Sequence, residues 1–64
     1  MNNFNEAIEK AQEIVKKEGL NWKVESVFIE NLITSITCSL PNGTLRIIGY
    51  SNLYEKILNI DICD

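Results

Sequence analysis

Sixty-four residues, of which 45% are hydrophobic, suffice for one small domain and argue against a disordered chain, and no apolar run approaches the roughly 20 residues needed to span a bilayer. Nine acidic against six basic side chains leave a net charge of -3, a field that opposes approach to nucleic-acid phosphates or to an anionic membrane. There is no histidine, so the commonest general base and the commonest metal ligand are both missing.

Asn3 can cap a first helix, and Glu6 stands three residues on, as reciprocal capping requires. Phe4, Ala7, Ile8, Ala11, Ile14 and Val15 recur every three or four residues and fall on one helical stripe. Glu6 and Glu9 lie toward the positive end of the helix dipole, Lys16 and Lys17 toward the negative end. Gly19 supplies a left-handed stop and Leu20 can fold back on the last turn, which predicts a helix over about Phe4 to Glu18.

In NWKVESVFIEN, Trp22 and Val24 alternate with Lys23 and Glu25, after which Val27, Phe28 and Ile29 are continuously apolar. The pattern predicts a strand over Asn21 to Ile29 whose facing shifts at a bulge near Ser26, with Glu30-Asn31 as a tight connection. From Leu32 to Leu40 the alternation puts Leu32, Ile36, Cys38 and Leu40 on one side and Ser35, Thr37 and Ser39 on the other, a half-buried strand.

Pro41-Asn42-Gly43 then reverses the chain into a third strand, Thr44 to Tyr50. A two-residue Asn42-Gly43 turn would pair Leu40 with Leu45 and Cys38 with Ile47, but it asks Pro41 for a hydrogen bond it lacks the N–H to make. A type I turn over Pro41 and Asn42, with Gly43 as a bulge, instead pairs Leu40 with Thr44, Ile36 with Ile48 and Thr34 with Tyr50. This second register is favoured because turn chemistry is local. It sends Leu45 and Ile47 to the face away from Leu40.

Beyond Gly49, Ser51 or Asn52 can cap a short second helix, with Glu55 three residues after Asn52 and Leu53, Tyr54, Ile57 and Leu58 on one stripe. Ile60 and Ile62 then alternate with Asp61 and Cys63, which suits a fourth strand or a tail lying across the sheet. The expected fold is therefore α+β in the order α-β-β-β-α, one domain over residues 1–64: an N-terminal helix packed on a three-stranded antiparallel meander. The helix is expected to cover the face bearing Ile36, Cys38 and Leu40. That leaves Val27, Ile29, Ile33, Leu45 and Ile47 for the other face, under the second helix and tail or exposed as an interface.

The residues that could carry chemistry are sparse. No two carboxylates are held at a separation suited to acid–base hydrolysis, and the isolated Gly19, Gly43 and Gly49 form no phosphate-cradling loop. Cys38 and Cys63 stand 25 residues apart, too few ligands for a zinc site without histidine, and are expected to be free structural thiols. The composition points away from an enzyme, a metal or a cofactor.

The amphipathic N-terminus, MNNFNEAIEK, lacks the basic-then-apolar plan of an export signal, so a cytoplasmic protein is expected. Its partner is expected to be another protein, with no direct nucleic-acid or membrane contact. Arg46, Ile48, Tyr50, Asn52 and Tyr54 form the candidate partner-binding set, a segment carrying residue types enriched at binding hot spots. Usage biased to Ile, Asn, Lys and Glu is that of an AT-rich bacterial or phage genome. The corresponding expectation is a phage or mobile-element inhibitor, of anti-defence or anti-CRISPR type, that occludes a surface of a bacterial host factor. The alternatives are a homodimer using the second sheet face, or a small-molecule binder at a subunit interface with Arg46 as anion anchor.

Overall fold

A computed structural model describes residues 3–63 of the chain. One helix, α1 (Asn3–Lys17), precedes four strands, β1 (Lys23–Ile29), β2 (Ile33–Ser39), β3 (Leu45–Ser51) and β4 (Lys56–Cys63). The strands form one antiparallel sheet in the order β1-β2-β3-β4, and α1 lies on one of its faces, so the α+β class holds. No described helix is long and apolar enough to cross a membrane.

Glu6 stands in the first turn of α1 and Lys16 and Lys17 in the last, as the dipole favours. The helix stops where Gly19 takes a φ of 78°: its amide donates to the Lys16 carbonyl and the Leu20 amide to the Val15 carbonyl, at 2.9 and 3.1 Å. These are the two bonds of a Schellman stop, which satisfies carbonyls the helix itself leaves open. The side chains of Asn3 and Phe4, expected as cap and first apolar contact, lie outside the described residues.

The β2–β3 hairpin takes the register that the proline turn demands. Gly43, at a φ of 90°, donates to the Leu40 carbonyl at 2.9 Å, and the Leu40 amide donates to the Thr44 carbonyl at 2.8 Å. Ile36 then pairs with Ile48 and Thr34 with Tyr50. On β1 the register shifts between Val24 and Ser26, leaving Glu25 as the extra residue of a bulge. Val24 opposite Cys38 and Val27 opposite Ile36 thereby both face α1. The core consists of Ala11, Val15, Val24, Ile36, Cys38 and Ile48, with Ile8, Ile14, Leu20, Trp22, Val27, Tyr50 and Ile57 packed around it.

Two expectations are corrected. The short C-terminal helix is not formed: residues 52–55 make a turn, and the tail from Lys56 is a full fourth strand, β4. Asn52 does not cap a helix because its side chain is committed to Thr34 and to the β1–β2 turn, and Glu55 adopts a φ of 53° that a continuing helix excludes. A two-turn helix is marginal by itself, whereas β4 gains a ladder along β3. The second correction concerns facing. Val27 and Ile29 lie on the helix side, because the Glu25 bulge reverses the alternation, and only Ile33, Leu45 and Ile47 of the expected set turn to the far face. Among the described residues neither a second helix nor the tail covers that face, which Phe28 shares.

Candidate functional site

α1 packs chiefly on β1, and over β3 helix and sheet diverge. The small side chains of Ala7 and Ala11 leave a groove of about 370 Å³ there, walled by α1 residues that include Lys10 and Ile14. Val27, Ile29, Thr34 and Tyr50 supply its sheet side, and Asn52 and Glu55 of the β3–β4 turn its rim. An apolar groove with a few converging polar groups is the usual form of a ligand or anchor pocket. It continues past Tyr50 and Glu55 toward Glu13, Lys17 and Glu18 at the end of the helix.

Asn52 fixes the mouth of the groove. Its Oδ1 accepts from Thr34 Oγ1 at 2.7 Å, its Nδ2 donates to the carbonyls of Glu30 and Asn31 at 2.9 and 3.3 Å, and its backbone amide donates to the Leu32 carbonyl at 2.9 Å. The β1–β2 and β3–β4 turns are thus bound into one surface at the same end of the sheet. Ser51, itself buried, accepts from the Tyr54 amide at 2.9 Å and shapes the second turn. Around this clamp Ile29, Leu32, Leu53 and Tyr54 are 62%, 63%, 68% and 70% exposed. The Lys56 ammonium sits 5.9 Å from the centre of the Tyr54 ring.

Tyr50 is half-buried in the groove, and its hydroxyl pKa is raised by burial first and then by Glu55 and Glu18. It stays protonated across the neutral range and can donate a hydrogen bond there. Cys38 is free and buried, its thiol pKa raised by burial and then by Glu25, the opposite of what a nucleophile needs. Cys63 is free and half-buried on β4.

Of the five residues expected at a partner surface, Tyr50, Asn52 and Tyr54 come together at the turn end of the sheet. Arg46 does not join them. It lies at the other end of β3, opposite Cys38 and Ile62, with Nη1 donating to the Leu45 carbonyl at 2.9 Å. Ile48 is fully buried in the core, where no partner can touch it, because the register that pairs it with Ile36 points it at α1. Sequence reasoning missed the α1 wall and the exposed Leu32 and Leu53. The signal for the wall was the pair Ala7 and Ala11, about one turn apart on the helix stripe, which leaves space wherever it faces a sheet. No protein-family model matches this chain, and neither a curated protein nor a solved structure was found that matches it.

Proposed function

We propose that this chain is a protein-binding module whose contact surface is the turn end of its sheet. Ile29, Leu32, Leu53 and Tyr54 supply apolar contact there, and the groove behind Asn52 accepts one anchoring side chain of the partner. The observation that carries this reading is that four apolar or aromatic side chains, each more than 60% exposed, stand at the end of β1 and on the two turns that Asn52 holds together. Exposed apolar surface on a stiff support loses little entropy on binding and is what interface centres are made of. A small acidic module of this kind would act by occluding a surface of a larger protein, as an inhibitor of a bacterial host factor would.

The test compares immobilised wild-type protein with a Leu53→Ser/Tyr54→Ala variant shown by circular dichroism to be folded. Each is exposed to the lysate of a low-GC bacterium, and the captured proteins are quantified by mass spectrometry. A protein captured by the wild type and lost from the variant supports the reading. Equal capture by both, or capture of nothing by either, overturns it.

A further inference from the structure

The groove behind Asn52 changes character along its length. Between α1 and β1 its walls include the carbon side chains of Ala7, Ala11, Ile14, Val27 and Ile29. Past Tyr50 the walls turn charged: Glu13 and Glu18 stand on α1 and just beyond its end, Glu55 on the β3–β4 turn, with Lys10 and Lys17 beside them. Tyr50 and Ile14 line both parts. A long side chain passing Tyr50 would therefore lie against carbon along its stem and end among ionised groups, the arrangement that amphipathic side chains favour.

The Tyr50 hydroxyl reports the sign of the charge at that end. Besides burial, the groups that act on it are Glu55 and Glu18, from two different elements, and both raise its pKa. Lys10 and Lys17 line the same stretch, but an ammonium nearer the hydroxyl than these carboxylates would have lowered it instead. Among the described residues neither Glu18 nor Glu55 forms an ion pair, and the Tyr50 hydroxyl makes no hydrogen bond. The charged end of the groove thus offers two carboxylates and a phenol oxygen whose acceptor capacity the chain itself does not use.

We infer that the side chain this groove takes from a partner protein is an arginine, its stem laid past Ala11, Ile14 and Tyr50 and its guanidinium between Glu18 and Glu55. The inference rests on the groove being the partner's anchor point, as proposed above, and adds the chemistry of the anchor. A guanidinium presents five N–H donors in a rigid plane, enough for two carboxylates and a phenol oxygen together, where an ammonium has three donors on one atom. An apolar anchor would cover the carboxylates without pairing them, and an anionic one would add a like charge beside them. The net charge of -3 favours encounter with a basic segment in the same sense.

The probe is hexylguanidinium, an arginine head on an apolar stem, titrated into the intact chain and followed by amide NMR. It should move the amides of Ala11, Ile14, Tyr50 and Glu55 with a Kd on the order of millimolar, ordinary for a fragment of its size. Hexanol and hexanoate, which share the stem, should bind at least about fivefold more weakly, and hexylammonium should fall between hexanol and hexylguanidinium. Glu18→Gln/Glu55→Gln changes two exposed side chains without changing their size; it should weaken hexylguanidinium about tenfold and leave hexanol unchanged. No shifts in the groove, equal binding of hexylguanidinium and any of the other three, or no loss in the double variant would overturn the inference. The partner-binding reading fails separately, in the capture experiment. A protein captured by the wild type, lost with Leu53→Ser/Tyr54→Ala and held undiminished by Glu18→Gln/Glu55→Gln would keep that reading and overturn the arginine anchor.

Discussion

The hydroxyl of Thr34, buried in the middle of the sheet, donates a 2.7 Å hydrogen bond to the side-chain oxygen of Asn52, 18 residues on in the sequence. That bond ties a central strand to a turn, and the same Asn52 side chain continues into the β1–β2 turn through its nitrogen. Removing the oxygen leaves a buried hydroxyl without its acceptor. Asn52→Ala should therefore cost about 1–3 kcal/mol in urea unfolding. Asn52→Asp keeps the acceptor but, when ionised, sets an oxygen in place of the donor against the Glu30 and Asn31 carbonyls; protonated at low pH its O–H can donate there again, so the variant should approach wild-type stability as pH falls. If Asn52→Ala changed stability by less than about 0.5 kcal/mol, the clamp would be incidental.

Ile36 and Ile48 face each other across β2 and β3 and are both fully buried. Truncating either to alanine should cost about 2–5 kcal/mol, which in a domain this small is comparable to the whole stability and leaves the chain largely unfolded. Ile36→Val should cost only about 0.5–1.5 kcal/mol and keep the fold. Ile14 is partly buried and lines the groove, so Ile14→Ala should be milder than Ile36→Ala. Thermal melts by circular dichroism give the ranking.

A Cβ at Gly49 would run into Asn59 Oδ1. Gly49→Ala should therefore push the exposed Asn59 side chain aside and break its bond to Asp61, with a net change in stability within about 0.5 kcal/mol. In an Asn59→Ala background the same change should be neutral or stabilising, since alanine restricts the unfolded chain more than glycine does. Additivity of the two substitutions would show that they do not touch.

The two thiols should behave differently. Cys38 is inaccessible and Cys63 half-buried, so a thiol reagent should label Cys63 in the folded protein and Cys38 only on unfolding. The Cys38 pKa is raised in the folded state, which then keeps its proton at a pH where the unfolded chain has lost it. Its contribution to stability is complete below the ordinary thiol pKa and is lost as pH rises through the folded value. As pH rises above the ordinary thiol pKa of about 8.5 the wild type should lose stability, and Cys38→Val should lose less. Tyr50, also raised, adds a loss of the same sign at still higher pH, which Tyr50→Phe would remove.

Much of this fold is a local matter. The helix is written in the spacing of Ala11, Ile14 and Val15 and in the Gly19 stop, because those features act within one or two turns. The β2–β3 register follows from Pro41, which cannot donate, and Gly43, which can take a positive φ. The bulge near Ser26 is legible from the break in alternation, whereas the face it gives to Val27 and Ile29 depends on their pairing with β2.

Residues 51–63 are the contrary case. Asn52-Leu53-Tyr54-Glu55 has the spacing of a helix start, and the Asn52 side chain would have capped one had nothing better been within reach. Thr34 and the carbonyls of Glu30 and Asn31, 18 to 22 residues away in the chain, were better partners, and only the assembled sheet brings them there. The placement of the groove is tertiary for the same reason: alanines at positions 7 and 11 mean space, but where that space falls depends on α1 leaning over β1 and away from β3. The sequence by itself determined the helix, its stop, the hairpin turn and the absence of histidine chemistry, since each rests on neighbours along the chain. Only the tertiary structure decided that the tail is a fourth strand, that Ile48 is core while Tyr54 is surface, and that the Gln12 side chain of α1 bridges the backbone of the β1 edge at Trp22 and Val24. Those outcomes are set by competition among partners distant in sequence, and local spacing carries no record of it.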